Sequence, residues 1–534
     1  MTRRRFLGGA VVAGSAAAAA GLYAPAAAAA PGSGQGTLPG AATVPPSDPR
    51  YAELAGRGYN GRFAGRPESF RVVHSTKQVV RAVQEAVNAG KRVVVRSGGH
   101  CFEDFVDNPD VQIIIDISEM KRIGFDDARR AFEVEAGTTL GQIYRTLYLG
   151  WGVTVPGGSC PSVGAGGHFT GGGYGSLSSR LGLVIDHLEA VEVVVVDAAG
   201  RARSVVASRR PGDPHHDLWW ALAGGGGGNF GIVTRFWLRS AGVAAGAPAD
   251  RVLPRPPGRV MSTALTWSWE NMTATAFREI ISRHGAWAVA GADVRDGTHP
   301  ESWLTLMHRV SGQFNLHLNL DPEVAGADRA MDRAVAALTD GLSVAPSAER
   351  TVTPWLKATL QVDTGYAGYP FKSKGAFLRR PWDDEHIGVI HSYLSEGGEE
   401  HYGSAVYLSG FGGRIADVSP TATAFPHRSA LFSAVYETSW WDESTAESQL
   451  AWVRRFYRDV YARTGGVPVP GDATSGAYIN YPDADLMDPT WNTSGVPWHT
   501  LYYRDNYPRL QRVKARWDPR DVFRHAMSVR LPGA

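Results

Sequence analysis

The chain has 534 residues, of which 43% are hydrophobic and 20% are charged, as is typical of a soluble globular protein. Its 54 basic and 52 acidic residues leave a net charge of +2, which gives no electrostatic reason to expect a nucleic-acid partner. A chain of this length predicts two or three domains, and it carries only two cysteines.

Residues 1–30 have the pattern of an export signal: a basic start, an alanine-rich apolar run and small residues at its end. The pair Arg3 and Arg4, followed by Phe6, is similar to a twin-arginine (Tat) signal. A membrane anchor is the weaker alternative because the run is only weakly hydrophobic. We therefore predict a secreted protein without a membrane association after cleavage, and a linker with an N-terminal segment over 31–65.

The first predicted elements are a helix and a strand between 75 and 96. Ser75 and Gln78 predict a capping box, apolar residues share one face of the helix, and Gly90 ends it. The buried strand RVVVR then delivers the loop Ser97-Gly98-Gly99-His100 at its end.

Further apolar runs predict strands up to a helix near 217, which is followed by five glycines and another strand. A Pro- and Ala-rich stretch then predicts a boundary, so that 66–243 forms one domain and 250–475 a second. Alternating strands interspersed with helices predict an antiparallel sheet backed by helices in the second domain. We expect 476–534 to return to the first domain.

A dinucleotide-binding fingerprint is excluded by its context. Gly226, Gly228 and Gly231 match G-x-G-x-x-G, but a predicted helix precedes them and a strand follows, the reverse of the Rossmann order. These glycines are therefore expected to allow close approach of the backbone to a ligand in another geometry.

The stretch GGSCPSVGAGGHFTGGGYG, at 157–175, places Cys160 at the edge of a glycine-rich segment. The residues alone leave several roles open. Cys101 and Cys160 can form a disulfide in an exported protein. Together with His100 and His168 they can bind zinc, although C-x-x-C and H-x-x-x-H spacings are absent. Cys160 can also be an inert core thiol.

Five segments together resemble the FAD-linked oxidases of the berberine bridge enzyme type, in the same order along nearly the whole chain. They are RSGGHCFED at 96–104, GGSCPSVGAGGHFTGGGYG at 157–175, GGGGGNFGIVT at 224–234, YINYPDADL at 478–486 and NYPRLQRVKARWDPRDVF at 506–523. The resemblance implies an α+β fold: a two-lobed FAD-binding domain of the vanillyl-alcohol-oxidase type, and a substrate domain with a seven-stranded antiparallel sheet backed by helices.

The resemblance is to the bicovalent branch of that family. It implies that His100 bonds the flavin 8α-methyl carbon and Cys160 bonds flavin carbon 6, while Cys101 is a bystander thiol. The residues implied to contact FAD without a covalent bond are Arg96, Ser97, Gly98, Gly99, Gly157, Gly158, Ser162, Val163, Gly164, Gly166, Gly167, His168, Gly171, Gly172, Gly228, Asn229, Phe230, Gly231, Ile232, Asn480 and Asn506.

The resemblance also implies a tyrosine base. Tyr478, in a Y-x-N motif, takes the substrate's hydroxyl proton as hydride leaves for flavin N5, with Tyr407 as a helper and Tyr174 near the pocket. A phenol has a pKa near ~10, so a base near neutrality needs strong hydrogen bonds or a positive potential. Each tyrosine can instead be a buried aromatic whose hydroxyl is satisfied.

The function implied is an FAD-dependent oxidase that removes hydride from a hydroxyl or hemiacetal carbon of a carbohydrate or glycosylated secondary metabolite, with O2 reduced to H2O2. One alternative is a natural-product tailoring enzyme for dehydrogenation or oxidative cyclisation, for which no carboxylate base is apparent. Others are a non-catalytic flavin-containing binding protein and a disulfide-linked module without flavin. Trp267 and Trp269 are either a substrate platform or core residues. No metal is predicted.

Overall fold

The computed structural model describes residues 40–361 and 368–533. They belong to one compact unit that begins at Gly40. The predicted export signal at 1–30 and the first part of the predicted linker, 31–39, lie outside the described residues. Within the described ranges, no helix combines the length and the apolar character that a membrane crossing requires.

The first sheet contains β1 and three parallel strands, in the order β1-β2-β4-β3. Its strands are β1 (Ala42–Val44), β2 (Ser69–Val72), β3 (Val93–Arg96) and β4 (Ile113–Asp116). Two helices accompany them, α1 (Tyr51–Ala55) and α2 (Thr76–Asn88).

The predicted helix-to-strand unit is confirmed as α2 and β3. Valine and alanine side chains at 79, 82, 83 and 86 are buried along one face of α2. The predicted capping box is wrong about the donor to Gln78. The side chain of Gln78 accepts a hydrogen bond at 2.7 Å from the backbone N–H of His74, the residue before Ser75. Ser75 still occupies the N-cap position with an extended backbone.

The second sheet is antiparallel, in the order β5-β6-β9-β7-β8. Its strands are β5 (Ile123–Asp126), β6 (Ala131–Glu135), β7 (Leu188–Val196), β8 (Ala202–Ser208) and β9 (Ile232–Leu238). Four helices lie in the same part of the chain, α3 (Leu140–Trp151), α4 (Ala165–Thr170), α5 (Ser178–Leu181) and α6 (His216–Leu222). Because α6 precedes the five glycines and β9 follows them, the exclusion of a Rossmann fingerprint is confirmed.

The third sheet is fully antiparallel, in the order β13-β10-β12-β11-β15-β16-β14-β17. Its strands are β10 (Arg259–Ser268), β11 (Glu301–Met307), β12 (Gln313–Leu320), β13 (Ser347–Pro354), β14 (Phe371–Leu378), β15 (Ala405–Gly410), β16 (Phe432–Ser439) and β17 (Thr474–Gly476). In the described chain this sheet therefore has eight strands rather than the predicted seven, because the short β17 pairs with β14 at its edge.

Helices cover one face of this sheet. They include α7 (Ala274–Gly291), α8 (Ala327–Thr339), α10 (Asp384–Ser395) and α11 (Ala446–Val460). The short helix α9 (Trp355–Leu360) follows β13, and its Trp355 packs against Tyr148 of α3 with ring centroids 5.0 Å apart. Along β11 and β12, leucines such as Leu304 and Leu316 are buried, whereas the alternate positions, such as Thr305 and Asn315, are half-buried and polar. The sheet therefore has an apolar face toward the helices and a polar face on the other side.

Two further features complete the fold. The C-terminal helices α12 (Trp498–Tyr503) and α13 (Tyr507–Trp517) follow the third sheet, and Lys514 of α13 donates to the backbone oxygen of Asn229 at 2.8 Å. Trp267 stacks on Phe314 with ring centroids 5.6 Å apart, and Trp269 stacks on Phe277 at the same separation. The interpretation of the two tryptophans as core residues is thus confirmed.

Candidate active site

The two predicted flavin anchors meet at one hydroxyl group. His100 lies in the loop after β3, and Cys160 lies in the segment that leads to α4. Ser162 Oγ is 3.0 Å from His100 Nε2 and 3.4 Å from Cys160 Sγ. The anchors, 60 positions apart in the sequence, are therefore neighbours in the fold.

The structure bears on two of the alternatives for the cysteines, the disulfide and the metal site. Both Cys101 and Cys160 are free thiols, so the disulfide alternative is wrong. Among the described residues, no group of three or more His, Cys, Asp or Glu side chains could hold a metal ion. Burial raises the pKa of Cys101 to about 12, which keeps this thiol protonated and unreactive.

His100 is held as a neutral ring. Burial lowers its pKa to about 4, so the imidazole is uncharged at neutral pH and keeps a lone pair. Its ring stacks on Tyr59, with centroids 4.0 Å apart and an angle of 22° between the planes. Tyr59 belongs to the predicted linker segment 31–65, and nothing in the local sequence indicated this contact.

The glycine-rich segments partly serve contacts between loops. A methyl group on Gly98 would collide with the backbone nitrogen of Gly164, and one on Gly175 would collide with the carbonyl oxygen of Gly157. By contrast, a methyl group on Gly167 would meet nothing within 4 Å. Gly98 and Gly175 therefore allow one loop to approach another, while the contact of Gly98, Gly157, Gly164 and Gly167 with FAD stays a prediction.

Several predicted cofactor-binding residues shape the same loops. The Arg96 guanidinium pairs with Asp116 at 2.9 Å behind the loop, and Ser97 Oγ donates to the backbone oxygen of Ala136 at 2.6 Å. His168 Nε2 accepts from the N–H of Gly158 at 2.9 Å. The remaining glycines of the predicted set, with Val163, Phe230 and Ile232, lie along these loops or at the start of β9. Their contact with FAD stays a prediction.

The side chains of Asn229 and Asn506 are both buried and bind protein groups. Asn229 Nδ2 donates to the oxygen of Gly225 at 2.9 Å, and its Oδ1 accepts from the N–H of Val529 at 2.8 Å. Asn506 Nδ2 donates to the oxygen of Pro420 at 2.9 Å. Both residues thus hold chain segments together, and their predicted contact with FAD stays a prediction.

Tyr478 sits where two donors converge on its hydroxyl. Tyr478 Oη accepts from the N–H of Gly173 at 3.0 Å and from Asn480 Nδ2 at 2.9 Å. Burial raises the pKa of Tyr478, while these two hydrogen bonds act in the opposite direction. Asn480 also donates to the oxygen of His168 at 3.0 Å, so the tyrosine adjoins the segment that carries Cys160.

The other two predicted catalytic tyrosines lie on the same side. Tyr174 Oη is 2.9 Å from Ser433 Oγ, and its ring centroid is 5.3 Å from that of Tyr478. Tyr407 in β15 is paired with Val435 in β16, and the neighbouring pair on that face is Ser409 with Ser433. Since side chains two apart in a strand share a face, Tyr407 lies on the face that Tyr174 contacts.

Two residues of the site were missed in the sequence. Tyr481 Oη is 3.1 Å from Tyr174 Oη, and its only signal was its place three residues after Tyr478. Glu437 lies on the same face of β16 as Ser433, and Ser373 donates to its carboxylate. Burial raises the pKa of Glu437 to about 7. The sequence did carry a signal for Glu437, since it is the one charged residue in the strand FSAVYETS.

The donor set of this site fits a covalently held flavin. A neutral imidazole and a thiol, both half-buried rather than sealed in the core, converge on Ser162 and supply two nucleophiles. The tyrosine hydroxyls lie on the adjoining side, and open space remains beside Gly167.

Two family models match this chain. A model described as an FAD binding domain matches residues 67–205, and one described as berberine and berberine like matches 477–530. Aclacinomycin-N/aclacinomycin-A oxidase of Streptomyces galilaeus is 50% identical over 545 residues, which cover 100% of this chain and 99% of that protein. The chain belongs to the berberine bridge enzyme-like family of FAD-linked oxidases.

Solved structures of the family share the fold. CrmK, a flavoenzyme of caerulomycin biosynthesis, superposes with a TM-score of 0.90 at 48% identity, over 92% of this chain and 100% of that one. The glycopeptide hexose oxidase DBV29, solved with teicoplanin, gives 0.89 at 46% identity over the same shares. The predicted fold class is confirmed, the chain is an FAD-linked oxidoreductase, and FAD is its cofactor.

Proposed function

We propose that this oxidase acts on a hydroxyl or hemiacetal carbon of a carbohydrate or glycosylated secondary metabolite, with FAD attached through both His100 and Cys160. The observation that carries the proposal is the fixed hydroxyl of Tyr478, next to the segment that carries Cys160. The similarity to an oxidase of aclacinomycins and to a glycopeptide hexose oxidase supports the substrate class.

Tyr478 acts as the base in this proposal. The N–H of Gly173 and the amide of Asn480 both point at its oxygen, and hydrogen bonds of this kind stabilise the phenolate more than the phenol. Bound FAD supplies the hydride acceptor and returns the electrons to O2, which yields H2O2. Tyr478 holds the proton that the substrate hydroxyl releases.

The neighbouring hydroxyls orient the substrate. Ser433, Tyr174 and Tyr481 form a short chain of hydrogen bonds beside Tyr478. Tyr407 lies on the same face of the sheet, and we assign it the role of helper to Tyr478. The polar face of the third sheet supports a polar substrate, because half-buried side chains such as Asn315 and His317 can hydrogen-bond sugar hydroxyls.

A tailoring oxidation that uses a carboxylate base is the second candidate function. Glu437 favours it, since this buried carboxylate has a pKa of about 7 and lies on the same sheet face as Tyr407. Glu437→Gln separates the two candidates. A tyrosine-based oxidase retains most of its kcat in this variant, whereas a carboxylate-based enzyme loses 10²- to 10⁴-fold, a range typical of general-base removal.

The test of the proposed function is peroxide release from a panel of monosaccharides, oligosaccharides and glycosylated aglycones, with the free aglycones as non-sugar members. Tyr478→Phe is expected to lose roughly 10²- to 10⁴-fold in kcat while it keeps its flavin absorbance. Tyr461→Phe is the matched control, because this buried tyrosine bonds Tyr436 on the helix-covered face. Full turnover by Tyr478→Phe contradicts the base assignment. Peroxide from non-sugars alone contradicts the substrate class, and no peroxide at all favours a binding protein.

We also propose Tat-dependent export and a secreted mature protein, on the pattern of residues 1–30. Residues 66–243 with 476–534 are assigned to the cofactor domain and 250–475 to the substrate domain. The contact of Lys514 with Asn229 supports the first assignment. A change of Arg3 and Arg4 to lysine is expected to retain the protein in the cell, and unchanged secretion would contradict the Tat route.

A further inference from the structure

A buried cluster of charged side chains lies between segments that are far apart in the sequence. It contains three acidic and three basic groups whose formal charges cancel, and Arg62 lies at its edge with Nη1 4.0 Å from Glu103 Oε2. The members are Glu103, Lys372, Lys374, Arg454, Asp483 and Asp485. We call them the ion cluster.

The contacts of the ion cluster are short. Lys372 Nζ binds the Glu103 carboxylate and lies 2.7 Å from Asp483 Oδ1. Lys374 Nζ lies 2.6 Å from Asp483 Oδ2 and 2.9 Å from Asp485 Oδ2. Arg454 completes the cluster at 2.8 Å from Asp485 Oδ1. Each carboxylate is therefore shared or paired with a cation.

The opposite charges around Lys372 and Asp485 keep these two groups charged despite their burial. Burial by itself lowers the pKa of Lys372, but the charges of Asp483, Glu103 and Asp485 outweigh it and raise the pKa. Burial likewise raises the pKa of Asp485, and Lys374, Lys372 and Arg454 outweigh it and lower the pKa. Removal of one member would leave a buried charge without compensation, which is strongly destabilising.

The ion cluster joins the two halves of the active site. Glu103 follows His100 by three residues, and Asp483 follows Asn480 by three. Two more contacts connect the same segments: the Ala484 N–H donates to Glu103 Oε1 at 3.3 Å, and Phe102 stacks on Tyr481 at 5.4 Å. The segment of the first flavin anchor and the segment of the base are thus bound to each other and to β14.

We propose that the ion cluster is a positioning device, in which Glu103 and Lys372 set the place of His100 relative to Tyr478. The inference rests on the proposed function and adds positioning residues to it. Well-packed apolar side chains could supply similar stability. Ion pairs with short hydrogen bonds also fix the direction of each contact and the alignment of the segments that they join. A displacement of about 1 Å between reacting groups is enough to slow a reaction 10²-fold.

The test separates stability from positioning with a charge-balanced double variant. Glu103→Gln and Lys372→Met each leave the ion cluster with one buried charge that is no longer balanced by an opposite one, and both are expected to lower the Tm markedly. The double variant retains two acidic and two basic members, so its Tm should recover toward that of the wild type. We expect its kcat and the fraction of flavin attached at His100 to stay at least tenfold lower, with KM little changed.

Three measurements are needed: the Tm, the mass of the His100 peptide with its flavin, and kcat with KM. The matched control is the exposed pair Glu119 and Lys121, 3.0 Å apart, changed to Gln and Met, which should alter none of them. Glu103→Asp keeps the charge but shortens the side chain by one methylene. It should retain most of the Tm and lose attachment at His100, so the proposal can be judged even if the double variant fails to fold.

Two results would overturn the inference. If the double variant or Glu103→Asp shows wild-type attachment and kcat, the ion cluster serves stability alone. If the wild-type His100 peptide carries no flavin, the proposed attachment falls and this inference falls with it. The wild-type measurement therefore distinguishes failure of the proposed function from failure of the positioning role.

Discussion

The anchor region and the tyrosine cluster lie next to each other but are built in different ways. In the anchor region, the half-buried His100 and Cys160 both contact a single side chain, Ser162. In the tyrosine cluster, the buried Tyr478 is held by a backbone N–H as well as a side-chain amide. One region leaves its reactive atoms accessible, and the other encloses them.

The difference matches what each region has to do. Groups that bond a cofactor must be reached by it, so a sealed core position would prevent attachment. A base has to stay at one place with a controlled pKa, which burial and fixed donors provide. The comparison therefore predicts that changes in the anchor region alter flavin attachment, and that changes in the tyrosine cluster alter rate with the flavin retained.

The largest expected effect is in the anchor region. The double variant His100→Ala, Cys160→Ala should lose all covalent FAD, because both nucleophiles are removed. Each single variant should keep one bond. Mass spectrometry of the denatured protein measures the retained flavin. Cys101→Ala is the control, since this protonated thiol is expected to be a bystander. Covalent flavin in the double variant would contradict the assignment of the anchors.

In the tyrosine cluster, Asn480→Ala should lower kcat by roughly 10- to 100-fold and leave the flavin in place. The variant removes a donor that lowers the pKa of Tyr478, so the pKa should rise and the acidic limb of the pH–rate profile, which reports deprotonation of the base, should move to higher pH. Asn492→Ala, which removes an amide donor to Leu486, is the control. An unchanged profile would show that Tyr478 is not the group that titrates.

Acid should destabilise both regions through their buried histidines. Burial lowers the pKa of His168 beside the anchors to about 4, and of His427 near the tyrosines to about 3. An unfolded histidine has a pKa near ~6.5, so the unfolded state binds more protons below that pH. Stability should fall as the pH drops from about 6.5 toward these values, by about 2 to 3 kcal/mol for each group at pH 4.5.

Thermal unfolding between pH 8 and pH 4 measures this effect. His427 has ring nitrogens that contact the oxygens of Ser475 and Tyr502 at 2.8 and 2.9 Å. His427→Gln removes one titrating group and should flatten the pH dependence in part, although it lowers the Tm at neutral pH. A stability that does not change with pH would contradict the burial of neutral rings.

The smallest expected effect is at Tyr407. Tyr407 is half-buried at the sheet face and is a helper rather than the base, so Tyr407→Phe should change kcat or KM by about threefold to tenfold. Steady-state peroxide assays on the accepted substrate measure it. A loss as large as that of Tyr478→Phe would place Tyr407 among the essential catalytic groups and narrow the difference between the two tyrosines.

Local patterns in the sequence predicted several elements correctly. The valine run that forms β3, the apolar face of α2 and the helix before the five glycines each depend on neighbours along the chain. Tyr478 and Asn480 were likewise recognisable as a Y-x-N pair. The pattern did not predict which backbone donor Gln78 would bind. Its side chain binds the N–H of His74 rather than that of Ser75, because a sequence pattern does not distinguish two donors that are one residue apart.

The sequence by itself determined the family, the cofactor and the candidate anchors, because ordered motifs of residue types identify a chemistry without coordinates. Only the tertiary structure decided that Ser162 joins His100 to Cys160, that Glu437 faces the tyrosines, and that the ion cluster connects the segments of His100 and Tyr478. Lys372, for example, binds both Glu103 and Asp483, which are about 380 positions apart. Pairing at that separation depends on strand register and loop packing, which one sequence does not display.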